Sequence, residues 1–301
     1  MSAWVYLPLA LSLVLSVLSQ PLARRLSPRT ATPALVLTTM LVAAATTWGL
    51  VLLAATLLHE APPVAEHAVR GPSAVEPVPA IIAATALVLL TVGLYRMVAT
   101  LNRQLRAHRV LRGLCGHLGV GELVVLADDQ PHAVAVPGRR GVAGRILVSS
   151  GMLAVLTDEE RAVLLAHERT HLREHHHWQQ AVADCAAALN PLLSPVRNTV
   201  AFLLERSADE AAATAVGSRP LAARSLAKAA LASTAGTRGE TLAFHRLAVT
   251  TRVAALQAAP PPPRPLVALA TIALGVLTTL AAADATLSFV EFVERLLPGG
   301  V

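Results

Sequence analysis

The sequence predicts a mainly α membrane protein: four transmembrane helices, with an α+β domain inserted between the third and the fourth. Three observations lead there. The 301-residue chain is 54% hydrophobic and only 15% charged, whereas a soluble domain carries roughly 25% charged residues. Four nearly uncharged apolar runs approach the roughly 20 residues that cross a bilayer core as a helix. Between the third and fourth runs lie about 160 more polar residues, enough for one compact domain.

The first run covers 3–19, "AWVYLPLALSLVLSVLS". No basic residue precedes it, and Arg24, Arg25 and Arg29 follow it. A cleavable signal has the opposite flanks, so an uncleaved anchor with its N-terminus outside is expected. The second run lies within 33–58, the third covers 79–99 and the fourth 266–287. The chain thus divides into three spans over 1–99, an inserted domain over 100–262, and a last span with a short extracellular tail over 263–301. The loop 59–78 holds Glu60, Glu66 and Glu76 against Arg70, while Arg96, Arg103, Arg106, Arg109 and Arg112 follow the third run. Positive loops stay in the cytoplasm, which predicts a cytoplasmic domain in the cell membrane and both termini outside. The net charge of +6 therefore reads as a topology signal. The lipid bilayer is the expected partner, and no direct nucleic-acid binding is expected. Cys115 and Cys185 have no metal-ligand spacing.

Within the domain, "ELVVLAD" (122–128), "HAVAVPG" (132–138) and "GRILVSS" (144–150) read as short strands separated by turn residues. Thr157 with Glu160 three residues on forms a capping box, which starts a helix expected to run from Asp158 to about Leu189. Asn190-Pro191 ends it. Ser194-Pro195 starts the next helix, Gly217 closes it, and a third begins near Ser218. "APPPPRP" (259–265) reads as a stiff spacer into the last span.

The first of these helices contains "HERTH", residues 167–171, the H-E-x-x-H pattern. Residues four apart share a helix face, so His167 and His171 can reach one zinc ion. Glu168 points round the helix toward a bound water and is the expected general base. Catalytic zinc sites use three protein ligands and an open position. Glu205, in "LLERSADEAAA" on the next helix, is the natural third ligand. Asp209, one turn further, can accept a hydrogen bond from the far nitrogen of a ligand histidine. Composition alone predicts roughly 0.02 such motifs in the chain, so a zincin-like domain is the expectation. His175, His176 and His177 read as helix surface or as support for the ligands, and Trp178 as a core or membrane-interface anchor.

With H-E-x-x-H followed by E-x-x-x-D, three spans before and one after, the chain resembles the BlaR/MecR-type antirepressor membrane metallopeptidases, which are gluzincins. The stretch "GRILVSSGMLAVLTDEERAVLLAHERTHLREHHHW" and the segment "TTRVAALQAAPPP" are similar to that family's pattern. The resemblance implies one zinc held by His167, His171 and Glu205, with Glu168 as base. It implies peptide-bond hydrolysis of a cytoplasmic protein, such as a winged-helix repressor or the protease itself. It also implies a substrate strand pairing beside the metal, for which "HAVAVPG" is the candidate edge, and an oxyanion-stabilising residue, for which His245 and Arg252 are candidates. The family's β-lactam sensors carry an extracellular penicillin-binding domain; this sequence shows none, so β-lactam sensing is not expected. Two other readings compete: a quality-control or prenyl-protein type of membrane metallopeptidase, and a non-catalytic signalling receptor with structural zinc.

Overall fold

The computed structural model describes residues 3–57, 79–118, 121–139, 141–234 and 240–296, apart from 261 and 263. The acidic loop 59–78 lies outside the described residues, as does the tail after 296. Among the described residues, four helices are long and apolar enough to cross a membrane: Trp4–Arg24, Pro28–Ala55, Ala80–Gly116 and Pro265–Glu291. They correspond to α1 (Leu7–Arg25), α2 (Pro28–Ala55), α3 (Ala80–Leu118) and α10 (Pro265–Leu296).

The third span differs most from expectation. Its apolar run stops near 99, yet α3 continues for 39 residues in all, a rod of about 58 Å. Leu and Arg dominate the extension, and these are strong helix formers. Helix α2 is the hub of the bundle. Thr38 Oγ1 donates to the Thr271 carbonyl at 2.9 Å and Trp48 Nε1 to Thr286 Oγ1 at 2.8 Å. This order of partners makes α2 and α10 run parallel. At Gly275 an added Cβ would stand 3.2 Å from Thr38 Cα; small residues allow such close backbone approach between membrane helices.

All three strands form where the alternation places them. The strands β1 (Leu123–Leu126), β2 (Ala133–Val136) and β3 (Arg145–Ser149) make one sheet in the order β1-β3-β2. β1 is parallel to β3 and β2 antiparallel to it, which leaves β2 as an edge strand. A short helix α4 (Ser150–Val155) follows, capped by the Ser149 side chain.

The expected long helix is broken in two, α5 (Asp158–Arg173) and α6 (His176–Leu189). Between them His175 adopts a left-handed conformation, φ 52°, which is uncommon for a non-glycine residue. Helix α7 (Ser194–Val216) ends at Gly217, also left-handed, which frees the chain to turn. The single helix expected after it is a pair, α8 (Arg219–Thr234) and α9 (Glu240–Gln257).

The α6–α7 hairpin is not confined to a separate domain. Ala183, Ala186, Leu193, Val196, Val200 and Leu203 share one buried core with Leu15, Leu35 and Val42 of the spans. A ladder of polar contacts fixes its depth. At the hairpin turn, Asn190 Nδ2 donates to Ser12 Oγ at 2.8 Å and Ser16 Oγ donates to the Leu192 carbonyl. Further along, Thr199 Oγ1 bonds Ser19 Oγ at 3.2 Å, and Arg206 Nη1 donates to the Ala23 carbonyl at 3.1 Å. The hairpin turn therefore sits midway along α1, and the residues near 205 stand level with its end.

Candidate metal centre

Helix α5 is anchored at its start by the expected capping box. Thr157 N–H donates to Glu160 Oε2 at 2.9 Å and Glu160 N–H to Thr157 Oγ1 at 3.4 Å. Lys228 of α8 adds a 2.6 Å ion pair to Glu160. This fixes the face that carries the motif residues two turns later.

On that face, His167 Nε2 and His171 Nε2 lie 3.1 Å apart. Glu205, from α7, approaches both: its carboxylate oxygens are 3.6 Å from His167 Nε2 and 3.5 Å from His171 Nε2. All three donor atoms fall within 4.8 Å of one another. Two imidazoles and a carboxylate converging in this way fit the donor set of a zinc ion with an open fourth position.

Each imidazole is held from behind. His167 Nδ1 is 3.1 Å from Asp209 Oδ1. Asp209 is buried and receives two 2.7 Å hydrogen bonds from Arg252 of α9. The remaining Arg252 nitrogen stands 2.9 Å from Glu205 Oε2. Arg252 thus belongs to the site, but its donors meet two carboxylates and it does not line the cleft. In this arrangement its guanidinium supports Asp209 and Glu205, whereas the sequence suggested an oxyanion donor. His245 lies on the same helix; its side chain is outside the described residues.

The sequence left His175, His176 and His177 between helix surface and support for the ligands; the structure sets His176 behind His171. His176 is buried, and its Nδ1 sits 2.9 Å from His171 Nδ1. Its Nε2 is 3.1 Å from Glu174 Oε2, which also accepts from Ser207 Oγ at 3.1 Å. If His171 Nε2 is to face a metal, its proton is on Nδ1. His176 must then accept at Nδ1 and donate from Nε2 to Glu174. In an unbroken helix His175 would follow His171 on one face; the break at His175 shifts His176 into that place.

Electrostatics favour a cation. Burial opposes a charge on His167, but the hydrogen bonds to Asp209 and Glu205 outweigh it and push its pKa up to about 10. Burial, then the neighbouring His167, pushes His171 down to about 4. Burial raises Glu205, but its contacts with His167 and the charge of Arg252 prevail and hold it well below the usual carboxylate range. Glu168 is buried and its pKa is raised, chiefly by that burial and against the pull of His167. The Ala135 N–H of β2 donates to it. These side chains open onto a cleft of about 410 Å³ that Ala133, Val134 and Ala135 line from the β2 side. Trp178, expected to be a core or interface anchor, is 66% exposed.

Residues 101–190 match peptidase family M48. The matched segment runs from the end of α3 through the strands and the H-E-x-x-H helix, and stops before Glu205. Over 106 residues the chain is 27% identical to a protein described as "Protease HtpX homolog" from Sulfurovum sp. (strain NBC37-1). That alignment covers 35% of this chain and 33% of the relative, so the chain matches about a third of the length of that relative. No solved structure gives a significant match.

Proposed function

We propose that the chain is a membrane-anchored zinc endopeptidase. The observation that carries this reading is the meeting of His167, His171 and Glu205 with the buried Glu168 beside a free sheet edge. The match to peptidase family M48 supports it. Bound zinc would lower the pKa of a water and polarise the scissile carbonyl. The chain's own residues do the rest. The β2 edge pairs with an extended substrate backbone and presents the peptide bond to the cleft. Glu168, with its raised proton affinity, takes the proton of the attacking water and passes it to the leaving amine. Asp209 and Arg252 hold His167 and Glu205 in place.

By resemblance to the BlaR/MecR-type peptidases, the substrate is a cytoplasmic protein such as a winged-helix repressor. A second reading, membrane-protein quality control, is favoured by a site level with the end of α1; the likeness to a protein described as "Protease HtpX homolog" supports a protease on either reading. On either reading the domain faces the cytoplasm and both termini lie outside. The Glu168→Gln variant should keep zinc and lose cleavage. N-terminal peptide mapping of the proteome in wild-type and Glu168→Gln cells would reveal the substrate and its compartment. Unchanged cleavage in the variant would refute the hydrolytic mechanism and favour a receptor with structural zinc.

A further inference from the structure

A larger cavity, of about 780 Å³, lies apart from the metal centre between α3, α6 and the first turn of α7. Arg96, Arg103 and Arg106 of α3 and Arg197 of α7 line it, above a floor of Ala187 and Ala188. Asp184 is the one acid among its described lining residues. Its carboxylate already accepts from Gln104 at 2.8 Å and Gln180 at 2.9 Å, and Arg197 approaches it at 3.7 Å. Four arginines thus face one committed carboxylate, and the cavity is short of negative charge.

Its depth makes that imbalance informative. Arg197 lies between Leu192, bonded to Ser16, and Thr199, bonded to Ser19. It therefore stands about one to two helical turns inside Arg24 along α1. On α3, Arg96 is three residues beyond Gly93, which packs against the Leu189 backbone beside the hairpin turn. A cationic side chain at such depth is costly and calls for a partner. The outer wall is apolar and open: Tyr95 and Val98 are 75% and 51% exposed on the span's surface. Guanidinium groups match phosphate oxygens in paired hydrogen bonds, and basic pockets between membrane helices suit anionic headgroups.

We propose that this cavity holds the phosphate of an anionic membrane lipid, its headgroup drawn in among Arg96, Arg103 and Arg197 and its acyl chain lying along Tyr95 and Val98. The test uses the full chain, delipidated in neutral detergent, with bound lipid measured by native mass spectrometry. Phosphatidylglycerol should be retained in preference to phosphatidylcholine. The Arg103→Gln/Arg197→Gln variant should lose affinity for it by about fivefold per arginine. Arg103→Lys/Arg197→Lys, which keeps the charge but not the paired hydrogen bonds, should lose less than the glutamine variant, and Arg24→Gln/Arg29→Gln, outside the cavity, should lose little. Equal retention of the two lipids overturns the proposal, as does an equal loss in the Arg24/Arg29 variant, which would indicate general surface attraction. Displacement of the lipid by inorganic phosphate at matched concentration overturns it too, because the ligand is then the free anion. Should the glutamine variant fail to fold, the lipid comparison on wild type and the lysine variant still decide the matter.

Discussion

The two histidines of the candidate metal centre are held by unlike supports, although they sit one turn apart on one helix. Behind His167 stands a charged chain: Asp209, then Arg252, which reaches round to Glu205. Behind His171 stands a chain with no arginine in it: His176, then Glu174, with Ser207 completing it. The first ties α5 to α7 and α9, the second ties it to α6 and α7. One support fixes its imidazole by strong charge-assisted bonds, the other by the direction of a proton.

The comparison can be broken at graded points. The largest effect is expected from His167→Ala or His171→Ala, each removing one of three donors. Zinc content of the purified protein should fall to near zero in both, and a full equivalent retained in either would discredit the ligand set. Asp209→Ala comes next. It should weaken zinc binding by roughly 10- to 100-fold, and it leaves Arg252 buried beside a missing partner, a cost of about 3–5 kcal/mol. Chelator competition and a thermal melt would therefore both move. His176→Ala should weaken zinc near the lower end, about 10-fold, with a smaller change in melting, since no buried charge is stranded. If it proved as damaging to stability as Asp209→Ala, the contrast drawn between the two supports would be wrong. Ser207→Ala should be the mildest, costing about 1 kcal/mol in stability, and a change in zinc affinity approaching that of His176→Ala would show that Ser207 matters more than its place at the end of the chain implies.

The same contrast separates what could be read in the sequence from what could not. Asp209 follows Glu205 at helical spacing, so a local rule brought it to the site. His176 is five residues from His171, off any helical period, and no Gly or Pro marks the break that brings it back. His175 itself is exposed; what the break secures is the burial of the next residue, His176, against His171 and Glu174. The strands and the capping box at Thr157 were legible because alternation and capping chemistry are local. The insertion of the α6–α7 hairpin among the spans was not. Its alanine-rich face is apolar enough to pack on a domain core or on membrane helices, and only the matching Ser12, Ser16 and Ser19 on α1 decide which. Arg252 was singled out as an oxyanion candidate, while its pairing with Asp209 and Glu205 was not legible because those partners come from a different helix.

Asn190 has a consequence for how the molecule is made. Its amide meets Ser12 and Thr46 in the middle of the bundle, where an unmet polar group is heavily penalised. The hairpin therefore finds its resting place only once the first two helices are in the bilayer, and those helices leave the ribosome first. Synthesis order and burial order agree. A fragment that begins after the third span would carry an apolar hairpin without its cradle, so the candidate metal centre and its anchor are one folding unit, born in the membrane together.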